Sequence, residues 1–157
     1  MRQDARYECQ IEWTGNRGLG TKSYTSYDRT WDIITPGKPV IHCSNDPALG
    51  GDPTKSNPED LLLCALSACH MLWFLHFASD ADLTVHRYLD KPVARGELQA
   101  NGAGRFISAT LRPHISVSEG TDLSVADQMH DQIHGVCFIA RSVNFPVAYQ
   151  AKYDFVE

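Results

Sequence analysis

Most of the nucleophilic and ligating chemistry open to this 157-residue chain resides in five cysteines, Cys9, Cys43, Cys64, Cys69 and Cys137, and seven histidines. An odd number of cysteines at irregular spacing is not a disulfide framework, and no CxxC pair offers a zinc site. Each lone cysteine is by default a small buried hydrophobe, so a reactive one needs distinguishing surroundings. Cys64 and Cys69 interrupt the apolar run EDLLLCALSACHMLWFLHF. Five residues apart on a helix, they point about 140° away from each other, so no intrahelical disulfide joins them. Cys69 sits in SACH, where small neighbours leave its sulfur accessible. His130, His134 and Cys137 fall at i, i+4 and i+7, the spacing of metal ligands on one helix face. Gly135 interrupts that face and no fourth ligand is in view. The histidines therefore read as packing or capping groups near a helix end, with a metal module as the alternative. GNRGLG, a glycine-rich turn, lacks the lysine of a phosphate loop.

A thiol becomes reactive when a cation, a hydrogen bond or a helix N-terminus favours its ionised form. Cys69 lies near the middle of its helix, so the dipole helps little and a cation must arrive from elsewhere in the chain. The helix itself is well specified. In SNPED, Ser56 or Asn57 caps, Pro58 suits the first turn, and Glu59 and Asp60 complement the dipole. It should run to about Ala78. Between Asp60 and Ser79 the 18 residues carry no formal charge, which reaches the lower length limit of a membrane span. The flanking Glu59, Asp60, Asp80 and Asp82 lack the basic residues and aromatic belt of a membrane interface. A helix apolar on all sides can instead be buried on all sides. One sheet covers one face, and a second copy of the chain is expected on the other.

Around this helix the sequence predicts an α+β arrangement in a single domain, 1–157. Strands are expected at 5–13 and 22–34, joined by the turn TGNRGLGT, followed by a long irregular connection at 36–57. A hairpin turning at NGAG is expected over 93–117, a second helix at 122–135 capped by Thr121 or Asp122, and a closing strand in FPVAYQAKYDFV. The net charge of -5 argues against nucleic acid or an anionic membrane as partner. The start, MRQDARYECQ, has no apolar h-region, which points to the cytoplasm, where thiols stay reduced.

SNPEDLLLCALSACH closely resembles the OsmC/Ohr family of thiol-dependent hydroperoxide reductases, and HGVCFIARSVNFPV resembles that family's second cysteine segment. WTGNRGLGT is similar to the N-terminal strand and turn of OsmC-like proteins, so the likeness runs from about Trp13 to the last strand. The resemblance implies an OsmC-like fold, an intertwined homodimer whose long central helices pack between antiparallel sheets. No cofactor and no metal are expected. The resemblance further implies that Cys69 attacks an organic hydroperoxide, and that the resulting sulfenic acid condenses with Cys137. A dithiol reductant, such as a lipoyl protein, then reduces the disulfide. A non-enzymatic OsmC-like protein that binds a hydrophobic ligand or senses oxidation is the alternative.

Glu59 belongs to the same motif, but ten residues of helix span about 15 Å, too far for its carboxylate to serve Cys69 of its own chain. Crossing helices in a dimer would bring it to the other subunit's cysteine. The thiolate-stabilising arginine departs from the family pattern. Ohr-type proteins place it in GGR, where this chain has GNRG, and residues 36–57 contain no arginine. Arg17 resembles the first arrangement by position. Arg29, in YDRTW, is the preferred residue, expected on a strand with Glu59 as its carboxylate. ACH and CFIA stand where Ohr-type proteins have ACF and CP, which suggests an OsmC-like branch and leaves His70 without an assigned role.

Overall fold

In the computed structural model, which describes residues 4–157, the chain forms two compact units, Met1–Leu61 and Leu62–Glu157. The first is built on an antiparallel sheet in the order β1 (Gln10–Trp13), β2 (Trp31–Ile34), β3 (Ile41–Cys43). The strand expected over 22–34 survives only in its last four residues. Before Trp31 the side chains take over the backbone's hydrogen bonds. Asn16 Oδ1 accepts from the N–H groups of Gly18 and Gly20, and the Ser26 hydroxyl donates to the Gly20 and Ser23 carbonyls. Such local bonds offer the chain an alternative to a ladder.

The connection at 36–57 is more ordered than its composition suggests, because it supplies β3 and a short 3-10 turn at Pro47–Leu49. Buried Ser44 knots it together. Its carbonyl accepts from Trp31 Nε1 at 3.1 Å, and its hydroxyl accepts from the Asp52 N–H at 2.9 Å while donating to the Arg29 carbonyl at 3.3 Å. Beside it, Gly51 leaves no room for a side chain, since a Cβ there would lie 1.7 Å from the Asn45 carbonyl oxygen.

α1 (Pro58–Asp80) opens as its sequence predicts, with Asn57 Oδ1 accepting the Asp60 N–H at 2.7 Å. It ends two residues later than expected. Asp82 takes a left-handed conformation, φ 54°, which returns the Leu83 N–H to the Ala78 carbonyl at 2.8 Å. The buried residues of α1 are Leu66, His70, Phe74 and Ala78, a single stripe at intervals of four. Leu72 and Leu75, off that stripe, remain 62% and 36% exposed. By length and composition alone α1 could cross a membrane.

In the second unit, two three-stranded sheets cover the stripe. One has the order β4 (Val85–Asp90), β7 (Pro113–Ser118), β9 (Lys152–Val156), the other β5 (Val93–Leu98), β6 (Gly104–Leu111), β8 (Val147–Tyr149). The hairpin at NGAG forms as β5 and β6, but Pro113 ends its second strand and the chain re-enters the other sheet as β7. Asp90 secures the crossing by accepting the Arg112 N–H and the Ser67 hydroxyl, each at 2.6 Å. The closing strand likewise divides, and β8 and β9 pair in parallel with β6 and β7. These two parallel pairings modify the all-antiparallel expectation, while the α+β class holds. β4 was not anticipated from the sequence at all.

α2 (Leu123–Val136) is capped by Asp122, whose carboxylate accepts the Ser124 N–H at 2.9 Å. Its inner face carries Ala126, Met129, His130 and Ile133. Asp127 and Asp131, one turn apart, accept hydrogen bonds from the hydroxyls of Tyr153 (3.0 Å) and Tyr149 (2.7 Å). Strands β8 and β9 thereby hold the helix against the core formed with Leu66, Phe74 and Ile115.

Candidate active site: a dithiol beside a histidine pair

Cys69 and Cys137 lie 68 residues apart in sequence, and their sulfurs are 2.7 Å apart. Both are free thiols, with Cys69 partly exposed and Cys137 buried. The helical geometry explains how they meet. Cys69 flanks the buried stripe of α1, while α2 stops at Val136 and Cys137 turns into extended backbone (φ -64°, ψ 114°) with its N–H bonded to the Ile133 carbonyl. That turn withdraws Cys137 from the i, i+4, i+7 face and aims it at α1.

The two thiols are unequal. Burial, and then the hydrogen bond it donates to Cys69, push Cys137 up to about 11. The Ala140 N–H, 3.3 Å from the Cys137 sulfur, opposes the rise only in part. Cys137 thus keeps its proton at neutral pH and presents it to the neighbouring sulfur.

Next to Cys69 along the chain, His70 Nε2 lies 2.7 Å from His130 Nδ1. His130 is clamped between rings, with centroids 4.5 Å from Phe74 and 4.7 Å from Tyr149. Burial drives His70 down to about 4, against the pull of Asp90. It drives His130 to about 3, assisted by His70 and opposed by Asp131. Both imidazoles are neutral near pH 7. A cavity of about 310 Å³ opens beside them, lined by Cys137, His70, His130, Asp131, His134 and Tyr149 together with aliphatic side chains.

The metal alternative for His130, His134 and Cys137 is not supported by this arrangement. Among the described residues no three His, Cys, Asp or Glu side chains cluster closely enough to hold an ion. His130 is turned toward His70, and Cys137 has left the helix face.

Arg29 belongs to the first unit, just before β2 instead of on a strand. Its guanidinium carbon lies 4.2 Å from the Tyr24 ring centroid and 5.0 Å from that of Tyr27, and Nη2 donates to the Tyr24 carbonyl at 3.1 Å. Arg17 Nε is 3.6 Å from Asp28 Oδ1, and its Nη2 donates to the Thr25 carbonyl. Glu59 is exposed in the first turn of α1. Among the described residues no ion pair joins Arg29 to Glu59, so the expected pairing does not form within one chain. The charge of Arg29 is met by aromatic faces instead. Sequence reasoning did not anticipate the contributions of Asp131 and Tyr149. The only available signal was the i, i+4 spacing of Asp127 and Asp131 on the polar side of α2.

An α+β chain whose long apolar helix and second helix end meet at two thiols defines a class of dithiol protein. The family model described as OsmC-like protein matches residues 50–152, and the chain belongs to that family. An OsmC-like protein of unknown function from Vibrio cholerae has a similar structure, at 25% identity and a TM-score of 0.83, covering 95% of this chain and 100% of the other. Organic hydroperoxide resistance proteins from Elizabethkingia anophelis and Legionella pneumophila share the fold. Their identities are 16% and 17%, both with a TM-score of 0.67. The matches cover 98% and 96% of this chain, and 100% and 99% of theirs. No curated protein matches the chain.

Proposed function

We propose that this protein is a thiol-dependent peroxidase that reduces organic hydroperoxides to alcohols. The juxtaposition of Cys69 and Cys137 carries the reading. In it, Cys69 is the attacking thiolate and is oxidised to a sulfenic acid. Cys137 attacks that sulfur, water leaves, and the disulfide is returned to two thiols by a dithiol reductant such as a lipoyl protein. The partly exposed sulfur takes the role that needs access, and the buried sulfur, already in contact, resolves. The aliphatic walls of the neighbouring cavity favour organic over hydrogen peroxide, because an organic group gains by leaving water. The working compartment is the cytoplasm, where a reducing pool supports turnover.

The decisive measurement mixes reduced protein with cumene hydroperoxide and counts free thiols. Loss of Cys69 and Cys137 thiols together, followed by repeated turnover when a dithiol is added, supports the enzyme. Stoichiometric oxidation without turnover would favour a redox sensor, and unchanged thiols would sink both readings.

The same reading makes the protein a homodimer, as members of this family typically are. The exposed apolar side of α1 is the surface that a second copy would cover. Sedimentation at micromolar concentration is expected to show no folded monomer, and a well-folded monomer would contradict the dimer. Arg29 then supplies the cation for Cys69, with Glu59 of the partner subunit orienting it. Arg29→Ala should slow the first oxidation about 100-fold, as loss of a charge-stabilising donor does. Mixed dimers of Glu59→Ala and Cys69→Ser chains should regain one intact site. Full activity in Arg29→Ala, or inactive mixtures, would remove these two residues from the mechanism.

A further inference from the structure

Among the described residues only two buried side-chain polar atoms lack a partner, Tyr88 Oη and His130 Nε2. The second bears on how protons are placed in the His70–His130 pair. A neutral imidazole carries one proton, and one of the two facing nitrogens must donate. If His70 Nε2 were the donor, His130 would hold its proton on Nε2, as a sealed N–H with no acceptor. If His130 Nδ1 is the donor, Nε2 is a bare acceptor, which is the less costly omission. The pair therefore settles with His130 Nδ1–H bonded to the Nε2 lone pair of His70. His70 must then carry its own proton on Nδ1. Among the described residues that nitrogen has no partner, yet it is not among the sealed atoms, and His70 lines the cavity.

We propose that the His130 bond locks His70 as the Nδ1–H tautomer, so that His70 offers a hydrogen-bond donor to an oxygen of the ligand held in the cavity beside Cys137. The ligand class is a small amphiphile, with an apolar body against Leu66, Leu111, Ile133 and Val147 and an oxygen acceptor facing His70. The mechanistic part rests on the peroxidase reading. There, the Cys69 thiolate, whose sulfur reaches the cavity through its contact with the lining Cys137, attacks the distal oxygen of the hydroperoxide, an S–O bond forms and the O–O bond breaks. The electron pair leaves on the proximal oxygen, which takes its proton from water. Sulfur is oxidised by two electrons as the peroxide is reduced. His70 stabilises the charge growing on the proximal oxygen without giving up its own proton. Neither imidazole has to ionise, in keeping with two neutral rings.

The test uses the full-length reduced protein and 2-phenyl-2-propanol, the alcohol formed from cumene hydroperoxide. Long-range proton–nitrogen spectra should show His70 protonated on Nδ1 and His130 protonated on Nδ1, with the His70 Nδ1 resonance moving as the alcohol is added. His70→Gln places an amide near the Nε2 position and loses the donor, so alcohol affinity should fall about tenfold. His70→Asn places an amide N–H near Nδ1 and should restore much of it. An Nε2-protonated His70, an unmoved resonance at saturating alcohol, or equal affinity in the Gln and Asn variants would overturn the proposal. Binding is read without peroxide, so it is independent of peroxidase activity. Absence of thiol loss in wild type would instead defeat the peroxidase reading and leave the donor assignment standing or falling on the spectra.

Discussion

Cys69→Ser is expected to lower peroxide consumption to the uncatalysed background, a loss of at least about 1000-fold, whereas Cys137→Ser should still react once. The asymmetry follows from the surroundings of the two sulfurs. Cys137 is buried, holds its proton up to about 11 and donates it to Cys69, so it is the poorer nucleophile toward a peroxide. Cys69 is the more accessible partner. Without Cys137 the sulfenic acid has no resolving thiol in contact and should persist long enough to be captured by dimedone. It should not turn over with a dithiol in the manner of the wild type. Wild type should lose both thiols per molecule of peroxide and form a Cys69–Cys137 bridge visible by mass spectrometry of non-reduced peptides. A dimedone adduct on Cys137 in the Cys69→Ser variant, at the wild-type rate, would reverse the two roles.

Acid should destabilise this protein from about pH 6.5 downward, above the ordinary carboxylate range. His70 and His130 have folded-state values of about 4 and about 3, below the ordinary histidine value of about 6.5 for an unfolded chain. Between these limits the unfolded chain binds more protons than the folded one, so stability rises with pH. The pair's contribution is fully present above about pH 6.5 and is lost as pH falls toward 4. Each pKa unit is worth about 1.4 kcal/mol, so the combined loss by pH 5 is on the order of 4 kcal/mol. Asp90 and Asp131 favour the charged rings and set a limit to the effect, and Tyr149 and Tyr153, also packed on His130, remain neutral throughout. Urea midpoints from pH 7.5 to 4.5, at fixed protein concentration, measure it. Replacing both partners, as His70→Leu with His130→Phe, should flatten that slope while leaving stability near pH 7 little changed, since an apolar pair can fill the same space. An unchanged slope in the double variant would mean that other groups govern the acid response.

The chain's local chemistry was legible before any fold was known. Asn57, Pro58, Glu59 and Asp60 start a helix by capping and dipole complementarity, Asp122 starts the second, and the NGAG turn closes a hairpin, all interactions within a few residues. Cys69 and Cys137 could be singled out through the resemblance of their two segments, although spacing alone left Cys69 undistinguished. Pairing and partnership were decided elsewhere. A sequence does not disclose that Pro113 hands one hairpin strand to a second sheet, or that the last segment splits into two parallel edges, because those ladders join residues far apart in the chain. His70 read locally as an oddity in SACH. Only packing α1 against α2 brings it to His130, 60 residues away, and removes both rings from water. Arg29 read as a cation in search of a carboxylate, yet its guanidinium is met by the Tyr24 carbonyl and the faces of Tyr24 and Tyr27. Local backbone preferences act over one or two turns and can be read from composition, whereas a side chain's charge state depends on which distant groups exclude water from it, and that is a property of the tertiary structure.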